Sequence, residues 1–274
     1  MTGPEDTSDA LGEFLRVVPF GEQIEARAPT APARPKKAAV LVAQLIVDDI
    51  VDRGLGRGDP LMAEREMVER YGVSRGTLRE SLRIIETYGL ISIKTGPGGG
   101  AIVADGGSRA LASVIALVLQ VNRASFRSIV EAKVELEPLM ARQAAERRDE
   151  NDLEVLRGSI ERMKEEIDDD DAFAVQNDVF HAAVSWAAKN PVLYIVVASF
   201  GLIQERTAIR PDLQRRNREA IVSAHHGIYR AIRSGDAEIA EAAMKVHVRG
   251  FAEYAERAHG DVLDAPLRWD AVNP

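Results

Sequence analysis

From Lys36 onward, apolar residues recur at the 3.6-residue spacing of helices that bury one face. Val40, Leu41, Ile46, Ile50 and Val51 predict a first helix ending near Gly54, ahead of a glycine-rich turn that closes on Asp59 and Pro60. A second, shorter helix is predicted over about residues 63–70, stopped by Gly72, a residue suited to the left-handed backbone of a helix end. The third begins after Ser74, whose hydroxyl can cap free amides, and runs to Tyr88 with Gly89 as terminator. Within it Leu78, Leu82 and Ile85 share one face, which turns Arg75, Arg79 and Arg83 outward. The pattern then changes to two short β-like runs, LISIK and AIVA, around the glycine-rich tip TGPGGG, as expected for a hairpin.

Beyond Asp105 the helical period returns, with helices predicted near 108–121, 126–148, 151–168, 171–189, 191–209, 216–234 and 236–259. The first residues lack such a period and contain the breaker-rich run APTAPARP. The expected division is a disordered tail over 1–35, a winged helix-turn-helix DNA-binding domain over 36–104, an all-helical domain over 105–260 and a C-terminal tail over 261–274. The expected fold class is mainly α: a winged helix-turn-helix with a small β-hairpin wing, followed by an all-α bundle.

Composition narrows the functions open to such a chain. Its 274 residues, 46% apolar, suffice for two modest cores. With no cysteine, disulfides and thiolate metal sites are excluded, and any metal must rest on histidine and oxygen ligands. No apolar run is long enough to span a bilayer and the acidic start does not resemble a signal peptide, so a cytoplasmic protein without membrane association is expected. The net charge of −8 looks adverse to nucleic acid, but it is unevenly spread. Residues 36–104 carry ten Lys/Arg against nine Asp/Glu, whereas residues 105–274 carry 22 against 28. The acidity lies outside the helix-turn-helix.

Two short helices joined at Tyr71-Gly72-Val73, the second bearing outward arginines and followed by a wing, place side chains in a major groove. Surface arginines on a solvated helix are the bland alternative for any one of them. The stretch with AER, GVSR, TLRE, the GL pair and the glycine-rich tip resembles the winged helix-turn-helix of GntR-type bacterial regulators over about residues 38–104. The resemblance implies DNA contacts by Arg65, Ser74, Arg75, Thr77 and Arg79, with Gly98 and Gly99 at the wing. Arginine can take the guanine edge bidentately, which assigns Arg75 and Arg79 to base reading and Arg65 to a phosphate. The family usually has proline where this chain has Met62, a departure that affects the turn before the second helix.

Three of the five histidines lie among apolar neighbours on helices of the C-terminal part: His181 with Phe173 and Val184, His225 with Val222 and Ile228, His247 with Met244 and Phe251. One inward histidine is more often a core residue than a ligand; three from separate helices favour a metal. The segments NDVFHAAVSWAAKNPVL and HHGIYRAIRSGDAEIAEAAMKVH resemble the FCD effector domain of the FadR subfamily, over about residues 109–258. That resemblance implies one divalent ion (zinc, nickel or manganese) on His181, His225, His247 and a residue one turn before His181. The last position is Asn177 here, where the family has aspartate. Three imidazoles and an amide bring no charge, so a bound dication would attract an anion, and a small carboxylate is the expected effector. Lys133, at a position usually arginine, and Arg206 are candidates for holding it.

The expected protein is a homodimeric, ligand-responsive regulator, a repressor, on double-stranded operator DNA. One alternative is a metal-free sensor for a fatty acyl thioester or another apolar ligand. A metallohydrolase is the remote alternative, since no HExxH-like spacing supplies a general base.

Overall fold

The computed structural model describes residues 34–94, 96, 99–104, 107–205 and 214–269. The segment read as a tail, Arg206 and Gly98 therefore lie outside the described residues, apart from Arg34 and Pro35, which begin the first helix. Among the described residues the chain is mostly helical, with one small two-stranded sheet. The expected fold class holds.

Helix α1 (Arg34–Asp52) buries Ala39, Val42, Ala43 and Ile46. Beneath them lie Met67 of α2 (Glu64–Tyr71), Leu78, Leu82 and Ile85 of α3 (Arg75–Thr87), and Ile91 and Ala101 of the wing. The turn between α2 and α3 is local chemistry. Gly72 at φ 61° returns its N–H to the Val68 carbonyl and so ends α2. Ser74 Oγ accepts the Thr77 N–H at 3.1 Å and starts α3, a cap worth about 1 kcal/mol. Asp49 of α1 ties the turn down, accepting bonds from Arg70 (2.6 and 2.9 Å) and from the Tyr71 hydroxyl (2.5 Å).

Strands β1 (Ile91–Lys94) and β2 (Gly100–Val103) pair antiparallel, Ile91 opposite Val103 and Lys94 opposite Gly100. At the tip, a Cβ on Gly99 would lie 2.3 Å from the Lys94 carbonyl oxygen, so no side chain fits there.

The helical part comprises α4 (Ser108–Val121), α5 (Arg127–Arg147), α6 (Glu150–Glu165), α7 (Asp170–Ala187), α8 (Pro191–Glu205), α9 (Arg215–Ser234) and α10 (Ala237–Asp264). Asp149, Asp169 and Asp236 cap α6, α7 and α10, and Gly235 at φ 79° ends α9. Helix α5 packs against α7, α8, α9 and α10, and Met140, Ala141 and Ala144 on it are fully buried. The two alanines let the neighbouring helices come close, so residues on α5, α7, α9 and α10 meet in the bundle interior. None of the helices among the described residues is long and apolar enough to cross a membrane.

The last helix departs from expectation. It continues through non-helical backbone at His259 (φ −142°) to Asp264, beyond the predicted end near 259. Leu263 and Leu267 are buried in a cluster with Ala112, Ala116, Phe126 and Ile129, and the Trp269 indole donates to Ser113 Oγ at 2.9 Å. Residues 261–269 are thus packed chain where the sequence suggested a tail, because an apolar face on α4 and α5 awaits them. Helix α8, predicted through 209, is described as far as Glu205.

Candidate metal centre and nucleic-acid interface

On the helix-turn-helix, Leu78, Leu82 and Ile85 fill the core and leave Arg75, Arg79 and Arg83 exposed. Arg75 opens the first turn of α3, beside the exposed Ser74 and the half-buried Thr77. Ser74 Oγ is 2.9 Å from Thr77 Oγ1 as well as capping the helix, so these hydroxyls are already engaged. Arg79 Nε donates to Glu64 Oε2 at 3.1 Å, and Arg65 pairs along its own helix with Glu69 at 3.3 Å. Such exposed pairs are weak and leave either arginine ready to exchange a carboxylate for a phosphate or a base. Gly99 lies at the wing tip with its N–H bonded to the Gly96 carbonyl.

The three predicted histidines come together. His181 on α7, His225 on α9 and His247 on α10 present nitrogen donors that all lie within 4.8 Å of one another. His247 Nε2 stands 3.1 Å from His225 Nε2 and 3.3 Å from His181 Nε2. Each helix supplies its histidine from a face otherwise committed to the core. His225 is fully buried, stacked on Phe180 with ring centroids 3.8 Å apart, and the His181 and His247 rings stack at 5.2 Å.

This donor set fits a metal ion. Two nitrogens held about 2.1 Å from one ion stand about 3.0 to 3.4 Å apart for angles from about 90° to about 109°. The observed 3.1 and 3.3 Å fall in that range. Neutral imidazole carries a single ring proton, so at most one or two of these contacts can be N–H to lone pair, and a cation satisfies all three lone pairs at once.

Beside the histidines lies a residue that sequence reasoning missed. Glu137 of α5 is buried, and its Oε2 is 2.6 Å from His181 Nδ1. Its Oε1 is 3.3 Å from the Lys133 ammonium one turn earlier, and Lys133 Nζ in turn donates to Gln204 Oε1 on α8 at 2.7 Å. A Glu four residues after a Lys on an otherwise apolar face was the available signal, but by itself it reads as a surface pair. Asn177 lies one turn before His181 on α7; its amide donates to Asp178 Oδ1 at 3.5 Å. Surface clefts of about 660 and 300 Å³ lie elsewhere, the first lined by Arg148, Arg157, Tyr229 and Arg233, the second by Val130, Val134, Arg249 and Leu263. Neither contains a histidine of the cluster.

Burial disfavours the charged form of two of the three imidazoles. Burial, then the neighbouring imidazoles His247 and His181, hold His225 well below the ordinary histidine value. Burial and His181 bring His247 down to about 3. Burial pushes the Glu137 carboxyl up, but the interactions with His181, including its hydrogen bond, and with the Lys133 ammonium outweigh it and the group ends at about 2. A base with a lower pKa folded than unfolded binds more protons when unfolded, so its stabilisation is present above the unfolded value of 6.5 and is lost as pH falls. For His247 alone the loss from pH 7.5 to 5 is about 2 kcal/mol, and His225 adds in the same direction. Glu137 acts only below its ordinary value of 4.5. Chelator-treated protein is therefore expected to unfold at distinctly lower urea at pH 5 than at pH 7.5; equal midpoints would contradict this electrostatic picture.

Comparison with known proteins converges on one description. Residues 39–100 match the bacterial regulatory proteins of the gntR family, and residues 128–250 match the FCD domain. The HTH-type transcriptional regulator YcbG of Bacillus subtilis is 29% identical over 215 residues, covering 78% of this chain and 88% of that protein. The HTH-type transcriptional repressor NanR of Escherichia coli K12 is 24% identical over 254 residues, 89% of each chain. Among solved structures, a GntR protein of Streptococcus agalactiae superposes with a TM-score of 0.59 at 21% identity, over 78% of this chain and 99% of its own, a likeness of fold.

Proposed function

The chain is a DNA-binding transcriptional regulator that joins a GntR-family helix-turn-helix to an FCD domain, and we propose that it is a homodimeric repressor whose FCD domain binds a divalent metal and a small carboxylate. The observation that carries the sensing half is the convergence of three imidazole nitrogens, 3.1 and 3.3 Å apart, in a buried bundle interior. The repressor half rests on the helix-turn-helix and on the similarity to NanR, a transcriptional repressor.

In this reading a dimer sets two recognition helices about one turn of DNA apart on a near-palindromic operator. Arg75 and Arg79 read base edges, Arg65 holds a phosphate, and Ser74, Thr77, Gly98 and Gly99 permit close approach. The exposure of Arg75 and the exchangeable pairing of Arg79 with Glu64 support these roles.

His181, His225 and His247 would hold the ion, with the Asn177 carbonyl as a fourth donor. Zinc, nickel and manganese all accept such ligands. The ion would supply a positive centre for an anionic effector. Among the described residues, Lys133 is a cation beside the cluster; its ammonium has three N–H donors, of which the bond to Gln204 engages one while Glu137 lies at ion-pair distance. A remaining N–H can meet a carboxylate, with Arg206 as a second contact. Effector binding changes DNA affinity only through unequal affinity for two arrangements of the dimer, and reciprocally. The test is binding to DNA from the chain's own upstream region, with and without zinc and a panel of carboxylates.

A further inference from the structure

The buried pair Lys133–Glu137 is unexplained by donor count, since Glu137 does not point its oxygens among the Nε2 atoms but at the far side of one ring. Glu137 Oε2 meets His181 Nδ1 at 2.6 Å while His181 Nε2 faces His247 at 3.3 Å. A histidine carries one proton in its neutral form, so the nitrogen that bonds the carboxylate decides which nitrogen offers a lone pair. We propose that Glu137 is the positioning residue of the histidine site: it fixes His181 as the tautomer with Nδ1–H on the carboxylate and Nε2 open to the cluster, and Lys133, braced by Gln204, fixes Glu137. The proposal rests on the metal reading for its consequence, not for its geometry.

Three features favour positioning over a mere buried ion pair. The Glu137 side chain is 3% exposed and would be costly to bury for stability alone, whereas the carboxylate–imidazole–metal arrangement recurs because it orients the ring and raises its basicity. Lys133 stands 3.3 Å from the other oxygen as an ion-pair partner without a hydrogen bond, so the hydrogen bond that orients the carboxylate is the one to His181. The bracing contact comes from α8 through Gln204 at 2.7 Å, which ties the orientation of His181 on α7 to a third helix. His225, in contrast, has no hydrogen-bond partner on its buried Nδ1 among the described residues, so the site has one ligand fixed by a carboxylate and one held by stacking on Phe180.

Full-length Glu137→Gln and Glu137→Ala proteins separate the possibilities, with zinc as the probe. Zinc affinity, by competition with a chelator, is expected to fall about tenfold in the Gln variant and up to about a hundredfold in the Ala variant. In zinc-free protein, nitrogen-15 NMR is expected to show His181 as the Nδ1–H tautomer in the wild type and to lose that preference in Glu137→Ala. Because Glu137→Gln leaves Lys133 buried without its carboxylate and can unfold, Lys133→Met/Glu137→Gln is the second variant: expected to fold with the same weakened zinc binding. Zinc affinities within twofold of wild type, or a wild-type His181 that already carries its proton on Nε2, would overturn the proposal. A wild type that binds no zinc would sink the metal reading instead, and the tautomer in the zinc-free protein would still decide the role of Glu137.

Discussion

Arg75→Ala is expected to lower affinity for the chain's own operator by about thirtyfold to about ten-thousandfold while leaving binding to unrelated DNA within a few-fold. A bidentate arginine–guanine pair is worth about 1–3 kcal/mol of discrimination, and a dimer makes it in both half-sites. The residue is suited to the task because Ser74 starts α3 immediately before it, so the first turn holds Arg75 outside the core filled by Leu78 and Leu82. Arg65→Ala is the control: a phosphate contact made once by each protomer, its loss should weaken all sequences alike and reduce the salt slope by about two. Equal losses on operator and unrelated DNA for Arg75→Ala would make it a phosphate contact too. Titration of both DNAs at two salt concentrations, by anisotropy, reads the difference.

The second large effect is expected at the middle of the histidine cluster. His247 Nε2 is the atom that contacts both His225 Nε2 and His181 Nε2, so His247→Ala leaves two donors without their common neighbour. Structural zinc sites with four ligands are worth about 10–16 kcal/mol, or roughly 3–4 per ligand, so zinc affinity should fall at least about a hundredfold. The fold should survive, because a half-buried imidazole whose burial already disfavours its charge contributes little else. Asn177→Ala should cost less, since a neutral carbonyl is the weakest of the proposed donors. Zinc binding unchanged in His247→Ala, measured by chelator competition, would remove the histidines from the metal reading.

What the sequence made legible follows the range of the interactions involved. Gly72, Ser74 and the spacing of Leu78, Leu82 and Ile85 act within one or two turns, so α2, α3 and their boundaries could be read residue by residue. The histidines were legible one at a time, each by the apolar company on its own helix face; that they meet depends on helix packing, to which three inward histidines in one bundle only pointed. Glu137 was not legible, because its burial is justified by His181, 44 residues on, and by Gln204 acting through Lys133. A charged residue on a helix reads as solvated until its partners are known. The end of α10 failed for a related reason: the helical period predicts a helix only to about 259, but Leu263 and Leu267 find a buried cluster that local pattern cannot reveal.

The central claim is a metal-dependent switch on specific DNA. The most direct measurement is a gel shift with zinc-loaded protein on DNA from its own upstream region and on the same DNA scrambled, with a carboxylate panel added in the presence and absence of zinc. Binding to the native sequence is expected to be at least about a thousandfold tighter than to the scrambled one, and to be changed by a carboxylate only when zinc is present. Equal binding to the two DNAs at low salt, or a carboxylate response that ignores zinc, would contradict it.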